Sequence, residues 1–145
     1  MIAVVADASV LVGELLRRRG RQLFRHPELS VFVAEEQWEE AQHELARRLP
    51  VLVSRAHLDE ARRRELESEV ASLVAEGVLE VVSGEHYSHL RDVALRRVPR
   101  DERDWPTVAA ALALDASILT ADADFLGCGV ATWTVETLIA ELANG

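Results

Sequence analysis

Short apolar runs alternate with amphipathic stretches along the whole chain. Ile2-Ala3-Val4-Val5-Ala6 reads as a buried strand, and so do residues 31–33, 79–82, 117–120 and 130–133. The stretches between them have helical spacing. Residues 9–19 predict a helix with Ser9 near its start, Gly20 punctuates, and residues 21–26 predict a short continuation before Pro27. Trp38, Ala41, Leu45 and Leu49 recur at helical intervals over residues 36–49. Residues 57–76 predict a charged helix with an inner stripe of Leu66, Val70, Leu73 and Val74, and Gly77 suits its C-terminal cap. Further helices are expected over residues 86–97, 105–115 and 135–143. This alternation predicts a three-layer α/β/α sandwich with a mainly parallel central sheet. No repeat, low-complexity tract or long linker interrupts it, so residues 1–145 are expected to form a single domain.

Composition narrows the class. A hydrophobic fraction of 49% and a charged fraction of 28% suit an ordinary globular chain. No apolar run is long enough to span a bilayer, and no basic leader precedes the first strand, so no membrane partner is expected. The lone cysteine, Cys128, rules out an internal disulfide and a cysteine-built zinc cage; a cytoplasmic location is the expectation. The net charge of −9 argues against non-specific nucleic-acid binding. Yet all 16 basic residues are arginines, which grip phosphate through a planar donor fork. They cluster at Arg17–Arg19 and Arg21, at Arg62–Arg64, and at Arg96, Arg97, Arg100 and Arg103. For any one cluster a solvated helix face is the plainer explanation.

Acidic residues mark the places where apolar segments end or begin. Asp7 follows the first strand, Glu40 lies seven residues beyond Val33, Asp104 opens the apolar segment Val108–Leu114, and Asp122 follows Thr120. In a parallel α/β sheet such positions can converge at one rim, where ligands bind. Converging carboxylates repel one another unless a cation sits between them, so convergence implies a divalent metal. Each residue also has a plain structural use. Asp7 can cap the first helix, although Ser9 can take that task. Glu40 and Glu44 sit one turn apart in a glutamate-rich helix, and helical geometry alone does not choose between them. Pro106 belongs in a first helical turn, which makes Asp104 a plausible N-cap, and Asp101 is either cap or ligand. Asp122 and Asp124 can simply form a turn, while Thr120 can orient a neighbouring carboxylate. His86 and His89, three apart on an expected helix, lack a third nitrogen or sulfur partner for zinc. Trp105, beside Asp104, is a candidate for base stacking.

The missing lysine removes competitors. Receiver-type phosphoacceptor domains need a lysine beside their aspartates, and a Walker loop needs Gly-Lys-Ser/Thr. Haloacid-dehalogenase-like phosphatases need an aspartate two residues after the nucleophile, where this chain has Ser9.

Three segments together resemble the PIN domains, the fold of VapC-type toxin ribonucleases. These are Val4-Val5-Ala6-Asp7-Ala8-Ser9-Val10-Leu11-Val12, the run from Asp101 through Asp104-Trp105-Pro106 to Leu114, and Ser117-Ile118-Leu119-Thr120-Ala121-Asp122-Ala123-Asp124-Phe125. The resemblance does not extend to Val51–Ser83. It implies a ribonuclease dependent on Mg²⁺ or Mn²⁺, with Asp7, Glu40, Asp104 and Asp122 as catalytic and metal-holding acids. Ser9, Glu44, Asp101, Thr120 and Asp124 would be accessory. The family's second acid lies early in the helix after strand two, which favours Glu40 with Glu44 as fallback. The resemblance further implies an RNA substrate, single-stranded or structured, a homodimer, and an antitoxin partner if the chain is a toxin. The alternative is a catalytically weak PIN module serving as an RNA- or protein-binding scaffold.

Overall fold

The computed structural model describes residues 1–98 and 100–144. Strand β1 (Ile2–Ala6) leads into α1 (Ala8–Leu15), α2 (Arg18–Phe24), β2 (Leu29–Ala34), α3 (Glu35–Arg55), α4 (Glu60–Ala75) and β3 (Leu79–Val82). Two single 3-10 turns, Gly84–His86 and Ser88–Leu90, precede α5 (Arg91–Arg97), and a third, Glu102–Asp104, runs into α6 (Trp105–Leu114). Then follow β4 (Ser117–Leu119), a 3-10 turn at Ala123–Phe125, β5 (Thr132–Trp133) and α7 (Val135–Asn144).

The strands form one sheet in the order β3-β2-β1-β4-β5, with every neighbouring pair parallel. From β1 the chain winds outward through β2 to β3, then returns to lay β4 on the other side of β1. The order therefore reverses between β1 and β4, and ligands of open α/β sheets bind at the strand ends beside such a reversal. The register pairs Ala6 with Leu119, so the residues leaving these two strands emerge side by side.

Pleating divides the core. Val4 and Ala6 of β1 point to one face with Val31, Val33 and Leu119, against Leu11 and Leu15 of α1, Ala41 of α3, Leu73 of α4 and Leu138 of α7. Val5, Ala34 and Ile118 point to the other face, against Ala94 of α5 and Val108–Ala111 of α6. Alternate residues of a strand face opposite sides, and helices cover both, which is why the strands read as unbroken apolar runs. The result is the expected three-layer α/β/α sandwich.

Several boundaries differ from the sequence-based expectation. The helix expected over residues 9–19 breaks after Leu15, and Gly20 lies inside α2 rather than between helices. The glycine is there for clearance: a Cβ would stand 2.2 Å from the Glu14 carbonyl oxygen. Helix α3 continues through Pro50 to Arg55, because Leu49 and Val53 are held in a small cluster with Leu66 of α4. The helix expected from residue 86 starts only at Arg91, and His86 and His89 fall in two successive turns, both exposed. Strand β5 has two residues, where four were expected. Gly77 takes the left-handed conformation (φ 74°) its capping place requires.

Candidate active site

Asp7 leaves β1 in extended conformation and begins α1. Its Oδ1 accepts the Val10 backbone N–H at 2.8 Å, so Asp7 itself is the N-cap. Ser9, thought able to take that task, is exposed in the first turn. Capping does not exhaust the carboxylate. Its Oδ2 accepts a short hydrogen bond from the Thr120 hydroxyl at the end of β4. The same Thr120 oxygen accepts the Asp122 backbone N–H at 2.9 Å. One threonine thus ties the first acid to the loop that carries the fourth. Asp122 in turn accepts the Asp124 N–H at 2.9 Å and shapes that turn while its side chain stays exposed. Asp124 pairs with Arg100.

Helix α3 begins directly at the end of β2 and carries Glu40 in its second turn. Glu40 is exposed, and its charge bears on Asp7. Glu44, one turn on, pairs with Arg47 and Arg48. Between strand end and Glu40 lies a residue that sequence reasoning missed. Gln37 is buried, accepts the Ala8 N–H at 3.0 Å through Oε1, and donates through Nε2 to the Arg103 carbonyl, also at 3.0 Å. Its amide bridges the backbone beside Asp7 to the backbone beside Asp104. The available signal was an amide among glutamates, one turn before Ala41 and so on the apolar side of the helix.

The N-cap expected of Asp104 is not formed. The 3-10 turn runs straight into α6, so Asp104 has helical dihedrals (φ −82°, ψ −7°) and its side chain makes no capping bond. Asp101 caps that turn instead, accepting the Arg103 N–H at 3.0 Å and its guanidinium at 3.2 Å, which holds the Asp101 carboxyl below its usual range. Asp104 is left half-buried without such a partner.

The electrostatics records the convergence. Burial raises the Asp7 carboxyl, hydrogen bonds from Thr120 and Val10 oppose it, and the charges of Asp122 and Glu40 add to the rise. Burial also raises Asp104, helped by Asp101, Asp122, Asp7 and Asp124, from 3.8 to about 7. Four segments distant in sequence therefore share one field. The donor set is all oxygen, the kind a hard cation takes. Among the described residues no three His, Cys, Asp or Glu side chains are gathered tightly enough to cage an ion. Mg²⁺ does not need such a cage, because it commonly binds through one or two carboxylates and keeps several waters. The residues fit a divalent ion.

The arginine clusters separate by position. Arg17 and Arg19 pair with buried Glu14, and Arg62 and Arg63 pair along α4 with Glu65 and Glu67. In the third cluster, Arg100 and Arg103 stand at the acidic rim, on Asp124 and Asp101.

The family model described as PIN domain matches residues 5–143, and the chain belongs to that family, a family of nucleases that generally use divalent metals. Among solved structures, PAE2754 from Pyrobaculum aerophilum is similar at 19% identity and a TM-score of 0.63, covering 99% of this chain and 91% of that one. A toxin–antitoxin complex from Klebsiella pneumoniae is similar at 14% identity and a TM-score of 0.51, covering 86% of this chain and 91% of that one. These likenesses concern the fold. No curated protein matches in sequence. Among the described residues no helix is long and apolar enough to cross a membrane.

Proposed function

We propose that the chain is a Mg²⁺- or Mn²⁺-dependent endoribonuclease whose acids are Asp7, Glu40, Asp104 and Asp122, acting as the toxin of a VapC-type pair. The observation that carries the reading is Thr120, which joins Asp7 to the Asp122 loop at the β1–β4 reversal. Asp7 and Asp122 would hold the metal most directly. When bound, the ion supplies positive charge for a phosphodiester and makes water a stronger nucleophile. The protein's own part is positional. Thr120 and the Val10 N–H aim the Asp7 carboxylate, and Gln37 sets the spacing between the Asp7 and Asp104 backbones. Asp104, poised near neutrality, can hold or release a proton at its carboxyl oxygen. Arg100 and Arg103 supply positive charge at the rim for the RNA backbone.

The toxin–antitoxin relative supports a partner protein for this chain, entering the acidic groove with an arginine or an apolar helix; a homodimer is the proposed assembly. The decisive experiment compares cleavage of single-stranded RNA by the wild type and Asp7→Asn with Mg²⁺ or Mn²⁺. The expected result is wild-type cleavage, leaving 5′-phosphate ends, that EDTA and the substitution both abolish. Equal, low activity from the two proteins would show a binding scaffold instead. Binding of RNA should weaken with salt and require the divalent ion; undiminished binding in EDTA would contradict the metal-mediated reading.

A further inference from the structure

Beside the acids, a cavity of about 320 Å³ opens between α3, α5 and the start of α6, lined among others by Glu36, Glu40, Arg91, Leu95, Arg103 and Trp105. It belongs to the site by two of its walls. Trp105 is the residue after Asp104, and Glu40 is one of the two acids whose charge raises Asp7. Trp105 is held from the core side by the fully buried Tyr87, ring centroids 5.8 Å apart and planes tilted 58°. The Arg91 guanidinium carbon lies over the same ring, 5.5 Å from the Trp105 centroid. Tyr87 packs against the indole, while Arg91 is exposed. Leu95 and Pro106 add apolar wall.

We infer that this cavity takes a guanine base of the substrate strand, stacked on Trp105 where the Arg91 guanidinium now lies and read at its edges by Arg91, displaced to one edge, and Glu36. Flat aromatic and guanidinium surfaces stack any base, so stacking gives affinity without choice. The choice comes from the two charged groups. A guanidinium only donates and an ionised carboxylate only accepts. Guanine alone among the four RNA bases offers two adjacent acceptors, N7 and O6, beside two adjacent donors, N1–H and the 2-amino group. Arg91 matches the acceptors and Glu36 the donors. The two side chains already sense each other, since Arg91 pulls the Glu36 carboxyl down against the rise caused by its burial and by Glu39. A base seated here leaves its backbone at the acids. The cavity's role as a substrate subsite rests on the ribonuclease reading, whereas its choice of base does not.

The test uses the full chain with Trp38→Phe and Trp133→Phe, which leaves Trp105 as the sole tryptophan reporter. Single-stranded RNA pentamers carry one guanine, inosine, adenine or abasic position in a uridine background, with Ca²⁺ in place of Mg²⁺. Expected are quenching of Trp105 and binding of the guanine pentamer roughly tenfold tighter than of the inosine, adenine or abasic ones. Arg91→Ala and Glu36→Gln, both at exposed positions and checked for folding by circular dichroism, should each shrink that preference to within about twofold. A guanine preference lost in both variants supports the subsite even if no RNA is ever cut, in which case only the nuclease reading fails. Equal quenching by all pentamers, no quenching, or a preference that survives both substitutions overturns it, whether or not the protein cleaves RNA.

Discussion

Replacing Asp104 by asparagine should stabilise the metal-free protein. In the native state burial and four neighbouring aspartates raise this carboxyl from 3.8 to about 7. Between those values the folded protein keeps a proton that the unfolded chain has released. The native state then binds more protons than the unfolded one, so stability falls as pH rises through that window. Each pH unit is worth about 1.4 kcal/mol, and the full window of roughly three units about 4 kcal/mol. Asp104 is only half-buried, and solvent screening at the rim reduces this to about 2 kcal/mol. Asparagine carries no charge in either state and escapes the whole cost. For a chain of this length, about 2 kcal/mol corresponds to roughly 4–8 °C in Tm. Thermal melts in EDTA at pH 8 should therefore show Asp104→Asn unfolding 4–8 °C, or roughly that, above the wild type. The gap should narrow at pH 5 and close near pH 4. Added Mn²⁺ should narrow it at pH 8 by stabilising more the protein that keeps the full set of carboxylates. A variant that melts at or below the wild type at pH 8 in EDTA would refute the claim that these carboxylates strain one another.

Three further substitutions probe the scaffold around the acids. Thr120→Val keeps the shape but strips buried Asp7 of its hydroxyl donor, and should cost about 2 kcal/mol by denaturant titration with a loss of nuclease activity; unchanged stability would mean the Thr120 link carries no weight. Gln37→Leu orphans both the Ala8 N–H and the Arg103 carbonyl, and should cost about 2–3 kcal/mol and lower kcat more than it raises KM, because its amide is engaged by the backbone on both sides and its loss chiefly loosens the acids. Gly20→Ala drives a methyl group into the Glu14 backbone, and should cost about 3 kcal/mol in a chemical melt while leaving metal affinity in the surviving folded fraction unchanged.

The carboxylates at this rim were legible in the amino-acid order, but their arrangement was not. Strands covered on both faces must be apolar throughout, so β1 and β3 announce themselves with correct ends, and Asp7 stands out because it breaks such a run. The division of tasks among neighbours was hidden. Nothing local says whether Asp7 or Ser9 caps α1, because either can; the Val10 N–H and the position of β4 decide. Asp104 looked like a cap because Pro106 follows it, yet the preceding turn already gives residue 104 helical dihedrals and passes the capping to Asp101. Glu40 and Glu44 share a side of the helix, and no wheel chooses between them; in the structure the charge of Glu40 bears on Asp7 while Glu44 meets Arg47 and Arg48. Gln37 was overlooked because its meaning lies in two backbone groups far from it in sequence, at residues 8 and 103.

By itself the sequence determined the layered α/β class, the acid-bearing segments and an oxygen-only donor set, because periodicity and residue chemistry are local properties. Only the tertiary structure decided which acids share a field and which are spent on caps and ion pairs. The physical reason is the sheet order: laying β4 against β1 brings Thr120 onto Asp7, and the mutual repulsion and burial that raise Asp104 exist only once those strands are paired.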